Sequence, residues 1–229
     1  MSEFDNLISK LNIKVQNIDL IKTAFIHRSY LNEAKTKIQS NERLEFLGDS
    51  ILSFLISRYL YLNYPRLPEG ELTNLRSSVV KTVTLAQIAK KLDLGKYLKM
   101  SHGEEESGGR NNPSILADTF EALLGAIYLD SGLESTDLIL SGYLTGLIPK
   151  IFKDKSYKDA KSSFQEMVQE KTKISPIYKV IHQKGPDHAK EFTVAVVVNS
   201  DTWGVGVGHN KQEAEQKAAE SAIEKWKEK

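Results

Sequence analysis

The spacing of apolar residues changes once along this chain, and that change limits the fold more than any other feature. To about Tyr143 the apolar residues recur every three or four positions, in IDLIKTAFIHRSYL, RLEFLGDSILSFLISRYLYL, ELTNLRSSVVKTVTLAQIAKKL and SILADTFEALLGAIYLD. That period belongs to helices with one buried stripe, and no strand alternation interrupts it. YPRLPEG, SHGEEESGGRNNPS and DSGL punctuate the helices. Beyond residue 159 the pattern differs. SSFQEMVQEKT reads as a short amphipathic helix. IYKVIHQK, EFTVAVVVNS and WGVGVGH read as strands separated by GPDHAK and a tight SDT turn. NKQEAEQKAAESAIEKWKEK reads as a last helix, N-capped by Asn210, with alanines on its packing side. The expected architecture is multidomain. An all-α domain covers 1–150, a linker 151–158 lies within the lysine-rich LIPKIFKDKSYKDAKSS, and an α+β domain of order α-β-β-β-α covers 159–228.

Composition narrows the function classes. No apolar run reaches the roughly 18 to 20 residues of a membrane helix; the best, ILSFLISRYLYLNY, is short and carries Arg58. The start, MSEFDNLISK, has acids where a signal peptide needs a basic and then an apolar segment. With no cysteine, disulfides, zinc–thiolate sites and thiol nucleophiles are excluded, and a reducing cytoplasm is expected. Residues 1–154 carry 18 bases and 19 acids, net −1, whereas 155–229 carry 13 bases and 11 acids, net +2, every base a lysine. A polyanionic partner for the second part is compatible with that split but not required by it.

The stretch NERLEFLGDS places Glu42, Glu45 and Asp49 at helical spacing within an arc of about 60°. Leu44, Leu47 and Ile51 fall on the opposite side. A second helix repeats the arrangement, with Asp118 and Glu121 on one face and Leu116, Phe120, Leu123 and Ile127 on the other. A further acid pair, Glu69 and Glu71, opens a helix behind Pro68. Such stripes are ordinarily solvated faces, with acids near N-termini favoured by the helix dipole. Two features argue otherwise here. No lysine or arginine stands four residues after Glu45, Asp49 or Asp118 to form a surface pair. The neighbours Gly48, Ala117, Ala122 and Gly125 are small, which permits close approach of another helix or a ligand. Carboxylates gathered without bases raise one another's pKa unless a divalent cation neutralises them. Oxygen-only ligands point to Mg²⁺ or Mn²⁺ rather than zinc, the arrangement of metal-assisted phosphoryl transfer.

These segments carry a resemblance. HRSYLNE, NERLEFLGDSIL and SILADTFEALLGAIYLD resemble the signature segments of the bacterial ribonuclease III family. The second domain, ending in GVGHNKQEAEQKAAESAI, resembles that family's double-stranded-RNA-binding domain. The likeness covers essentially the whole chain in the expected order. It implies an endoribonuclease that cleaves double-stranded RNA by metal-assisted phosphodiester hydrolysis, leaving 5′-phosphates, 3′-hydroxyls and two-nucleotide 3′ overhangs. It implies Mg²⁺ as cofactor with Mn²⁺ as a substitute, no organic cofactor, a cytoplasmic homodimer, and ribosomal, messenger and transfer RNA precursors as substrates. By the same resemblance Glu45, Asp118 and Glu121 hold the metal, and Asp49 and Glu121 are catalytic. Glu42 and Glu69 position the substrate, and Glu104 matches a further acid. Phe46 matches an aromatic that enters a socket on the other subunit, and its place beside the acid stripe fits that role. His27, among apolar neighbours, is expected to be a satisfied core residue.

A module for A-form RNA must read shape through 2′-hydroxyls and phosphates over roughly 16 base pairs. Gln165 and Glu166 on the first helix of the second domain suit one minor groove, and His188 in GPDHAK suits the next. Asn210, Lys211 and Lys217 on the last helix suit the phosphates between them. The family commonly has two adjacent bases at the start of that helix, whereas the second here is Gln212. Losing that contact flattens the salt dependence of binding by up to about one unit. GVGVGH reads as a glycine-rich strand rather than a nucleotide loop. The alternative is a catalytically silent double-stranded-RNA-binding or ribosome-associated protein. A silent descendant would be expected to have lost one of Glu45, Asp49, Asp118 and Glu121, and all four are present.

Overall fold

The computed structural model describes residues 3–154, 157, 159–186 and 190–227. The chain divides into two compact units, Met1–Tyr157 and Lys158–Lys229. In the first, α1 (Asp5–Leu11) and α2 (Ile18–Ala24) lead into an extended stretch and a 3₁₀ turn at Arg28–Asn32. Then come α3 (Glu42–Asn63), α4 (Glu69–Val79), α5 (Thr82–Lys91), α6 (His102–Glu106), α7 (Pro113–Tyr143) and α8 (Ile148–Lys153). Two expected helices are broken. IDLIKTAFIHRSYL stops at Ala24 because Ile26 pairs in a β-bridge with Lys99, the Lys99 N–H donating to the Phe25 carbonyl. ELTNLRSSVVKTVTLAQIAKKL splits at Val80–Lys81 into α4 and α5. DSGL does interrupt the helical backbone, as its glycine implies. α7 is two helical segments that meet at Gly132 (φ 79°, ψ −177°), a conformation open almost only to glycine.

The long helices α3 and α7 form the centre of this unit. Leu52, Leu55, Ile56 and Leu60 of α3 and Leu116, Phe120, Leu123 and Ile127 of α7 are buried together. The two helices cross where Gly48 meets Gly125. A Cβ on Gly48 would overlap the Glu121 carbonyl oxygen, and one on Gly125 would overlap the Leu44 carbonyl. The backbones therefore touch, a separation that any larger residue would widen. α7 also packs on α2 and α5. Its Asp130 carboxylate accepts the backbone N–H groups of Gln16 (3.0 Å) and Asn17 (2.6 Å), tying it to the start of α2. Burial works against that charge. Hydrogen bonds from Ser131, Gln16 and Asn17 outweigh it and hold the Asp130 carboxyl below the usual aspartate value.

The boundary between units lies later than the sequence implies. The supposed linker 151–158 begins as the end of α8. There Phe152 packs between Tyr64 and Tyr157, at centroid distances of 4.9 and 6.0 Å. Tyr157 is buried and donates to Glu71 at 2.7 Å. The aromatic cluster draws the chain onto the first unit where lysine content alone suggested free linker.

The second unit is α9 (Ala160–Thr172), an antiparallel sheet β1 (Ile177–Lys184), β2 (Glu191–Val198), β3 (Asp201–Gly208), and α10 (Lys211–Lys227). The β2–β3 turn falls on Asn199–Ser200, one residue or so ahead of SDT, because Asn199 takes the left-handed conformation (φ 58°) that a two-residue hairpin requires. One face of the sheet meets the helices through Val194, Val196 and Val198 of β2, Phe164 and Val168 of α9, and Ala214, Ala218, Ala222 and Trp226 of α10. On β3, Gly204, Gly206 and Gly208 face α10 so closely that a Cβ on Gly204 or Gly206 would overlap its backbone. The intervening valines, Val205 and Val207, point outward. Alternating Gly–Val is thus a period-two strand whose inner residues are reduced to nothing.

Gly48→Ala is expected to destabilise the first unit by about 3 kcal/mol, and Gly206→Ala to destabilise the second similarly. Gly70→Ala, with open space around it in α4, should hold or slightly raise stability. Calorimetric melting of the three variants tests this.

Candidate active site

The α3–α7 crossing sets the site. Glu45 stands three residues before Gly48, and Asp118 and Glu121 stand seven and four residues before Gly125. The backbone contact brings carboxylates from the two helices together. Oxygen atoms of Glu45, Asp118 and Glu121 all lie within 4.8 Å of one another, each residue partly buried. Asp49, one turn beyond Glu45, is exposed, as is Glu42 one turn before. Glu42 accepts the Ser40 hydroxyl at 2.7 Å and faces Arg28 at 3.5 Å. A pocket of 320 Å³ opens over the cluster, lined by His27, Arg28, Asn41, Glu42, Glu45, Ile115 and Asp118.

The electrostatics follow from burial and like charge. Burial first, then Asp49, Asp118 and Glu45, push the Glu121 carboxyl up to about 8. Glu45 is raised by burial, then by Asp118, Glu42 and Asp49. Asp118 is raised by burial, with His27 opposing. Three carboxylates brought together with no lysine or arginine in the pocket except Arg28 make a site that at neutral pH takes up either a proton or a cation. Hard oxygen donors at this spacing fit one small divalent ion of the Mg²⁺ or Mn²⁺ kind, which would be held by Glu45, Asp118 and Glu121.

Not every acid singled out from the sequence joins this cluster. Glu69 is exposed in the first turn of α4, where it accepts the Thr73 hydroxyl at 3.0 Å. Glu104 sits on α6, in a segment expected to be loop, with its N–H on the Ser101 cap. Phe46 is 78% exposed on α3. Beside it is a hollow of 630 Å³ lined by Leu20, Leu44, Leu47 and Leu129, with polar residues at its rim. His27 departs from its expected core place. It is partly exposed, caps the 3₁₀ turn, and lines the acidic pocket. The helical reading of HRSY hid this, and only the break after Ala24 turns the ring toward the acids.

In the second unit Gln165 and Glu166 are exposed on α9, away from the buried Phe164 and Val168. Asn210 Oδ1 accepts the Glu213 N–H at 2.8 Å, while the Glu213 carboxylate accepts the His209 N–H at 2.8 Å, a reciprocal cap at the start of α10. Lys211 and Gln212 are exposed, and Lys217 pairs with Glu213 at 2.7 Å. His188 lies outside the described residues. Among the described residues no helix is long and apolar enough to cross a membrane.

Comparison with known proteins supplies context for this geometry. Residues 17–147 match a family model described as ribonuclease-III-like, and residues 160–225 match the double-stranded RNA binding motif. The chain is 45% identical to ribonuclease 3 of Borreliella burgdorferi, over 97% of this chain and 91% of that one. It is 43% identical to ribonuclease 3 of Clostridium tetani, over 97% and 94%. Among solved structures, the nuclease domain of ribonuclease III from Campylobacter jejuni is similar, with a TM-score of 0.59 and 35% identity, covering 64% of this chain and 99% of that domain.

The raised carboxyls set a proton linkage that can be measured. Between the ordinary glutamate value of 4.5 and about 8, the folded protein keeps a proton on Glu121 that the unfolded chain has lost. The stability this contributes is complete below the lower value and lost as pH rises through the upper one. The melting temperature of cation-free protein is therefore expected to fall across that range, and Glu121→Gln should flatten the fall. Mg²⁺ or Mn²⁺ binding at pH 7 should release about one proton, seen by calorimetry in buffers of different ionisation enthalpy.

Proposed function

The chain belongs to the ribonuclease III family, and on that premise we propose that it works as an Mg²⁺-dependent homodimer that cuts both strands of an RNA duplex. It is an endoribonuclease for double-stranded RNA, with the nuclease domain and the duplex-binding motif on one chain. The observation that carries the finer reading is the convergence of Glu45, Asp118 and Glu121 from two helices onto one small volume, with carboxyl groups raised by their own crowding.

Hydrolysis adds a water oxygen to phosphorus and breaks the bond to the 3′ oxygen. That oxygen leaves with a proton as a 3′-hydroxyl, and the phosphate stays on the 5′ side. An ion held by Glu45, Asp118 and Glu121 would lower the pKa of the attacking water and neutralise charge on the phosphate. Asp49, exposed one turn along α3, offers a carboxylate to orient that water and take up its proton, and Glu121 acts through the ion it would help to hold. Glu42, at the mouth, positions the strand, and Glu69 contributes positioning farther along the duplex.

Two active sites on one duplex need two protomers. Leaving a phenylalanine in water forgoes about 2 kcal/mol or more of burial, and the apolar hollow beside Phe46 is of a size to take an aromatic ring from a second copy. Cuts displaced across the minor groove then leave two-nucleotide 3′ overhangs. In the second unit Gln165 and Glu166 face one minor groove, and Lys211 and Lys217 face phosphates. Lys217 exchanges its Glu213 partner for phosphate. Ribosomal RNA precursors and structured messenger and transfer RNA precursors are the substrates, and the cytoplasm is the place of action.

Incubation with end-labelled duplex RNA tests the chemistry. Cleavage with Mg²⁺, none with EDTA, and two-nucleotide 3′ overhangs are the expected products. Glu121→Ala should lose at least about 100-fold in rate while duplex binding in a gel-shift assay holds. Cleavage by wild type in EDTA would remove the metal from the proposal. In sedimentation equilibrium, wild type should be a dimer and Phe46→Asp a monomer.

A further inference from the structure

The pocket over the acid cluster is lined by two unlike sets of side chains. Glu42, Glu45 and Asp118 come from α3 and α7, and His27 and Arg28 come from the segment that follows α2. Arg28 is 72% exposed and turned toward Glu42, so His27 is the closer-held donor.

The His27 backbone is clamped on both sides. Its N–H donates to the Lys99 carbonyl at 2.9 Å, and the preceding Ile26 carbonyl accepts from the Asn41 N–H, at the start of α3, at 2.8 Å. The ring is fixed as well. Nδ1 accepts the Ser29 N–H at 3.3 Å and lies 2.8 Å from the Ser29 hydroxyl. That hydroxyl oxygen already accepts the Ser101 N–H at 2.9 Å, which leaves its own proton to point at Nδ1. With Nδ1 occupied as an acceptor, the ring proton sits on Nε2. Nε2 is the polar atom left on a ring that lines the pocket. Among the described residues it has no protein acceptor within hydrogen-bond distance, although Asp118 lines the same pocket.

We infer that His27 is a substrate-binding residue, its Nε2–H donating to a non-bridging oxygen of the RNA phosphate that enters this pocket. The inference rests on the duplex-RNA reading above and deepens it. An anionic phosphate entering a pocket with this many carboxylates needs a donor among them, and a ring locked by Ser29 supplies one without reorganisation. The contact holds one strand in register against Glu45 and Asp118, so its loss is felt in the cleavage step, while the duplex-binding motif of the second unit is left intact.

The test uses the full chain as wild type, His27→Ala and His27→Gln, the last placing an amide N–H near the position of Nε2. Single-turnover cleavage of a duplex with one labelled cut site is measured against Mg²⁺ concentration, and duplex affinity is measured in EDTA. His27→Ala should slow cleavage about 100-fold, and His27→Gln should recover at least about tenfold of that. The Mg²⁺ half-saturation and the duplex affinity should stay within about twofold of wild type. Equal rates for wild type and His27→Ala would overturn the assignment. So would equal slowing in both variants with lowered melting temperatures, which marks a structural role. A shifted Mg²⁺ half-saturation would mean that His27 acts through the carboxylates instead. If the wild type itself leaves the duplex uncut, the nuclease reading falls first and this assignment falls with it.

Discussion

Everything in the first unit depends on two helices whose backbones are in contact. Gly48 and Gly125 remove the side chains that would hold α3 and α7 apart, and the buried leucines on either side close around that point. Burying apolar surface drives the packing, but it does not by itself choose a separation. The glycines do. They set Glu45 against Asp118 and Glu121 at a distance where three carboxylates cannot all keep their charge unaided. The packing energy of the helix pair is what holds this repulsive arrangement together, as expected where a site stores strain for function.

The second unit uses the same device for another end. Glycines at every second position of β3 let α10 lie almost on the sheet, with alanines on the helix face that meets them. The unit is thin as a result, and the reciprocal cap of Asn210 and Glu213 fixes where α10 begins. The lysines that follow are therefore offered from a rigid helix end. Asn210 spends its carbonyl oxygen on that cap, so its contribution to RNA is first a structural one.

The sequence made some of this legible and not the rest, for physical reasons. Helical and strand periods are local, and so the two-part architecture, the acid stripes and the packing alanines could be read directly. Gly48 and Gly125 were visible as small neighbours of acids, but their mutual contact is tertiary. The breaks at Ala24 and Val80 were invisible because apolar spacing continues across them; a bridge to Lys99, seventy residues away, ends the first. His27 was misread for that reason. The late end of the first unit had the same kind of cause, since Phe152 and Tyr157 sit in a lysine-rich stretch and find Tyr64 only in three dimensions. Glu69 shows the converse: a residue picked out by resemblance that stands apart from the other acids in the chain's own fold.

The Asp130 clamp gives α7 a second job. The helix that carries Asp118 and Glu121 also grips, three turns later, the two residues that lead into α2, and α2 is followed by the short bridged segment that ends at His27. Asp118 and His27, which line one pocket, are thus both referred to a single helix. Asp118 rises from it directly, and His27 returns to it through one carboxylate and a seven-residue helix. The width of the pocket is a length marked off on α7, with the acids at one graduation and Asp130 at another, and the rest of the domain serves to keep that ruler straight.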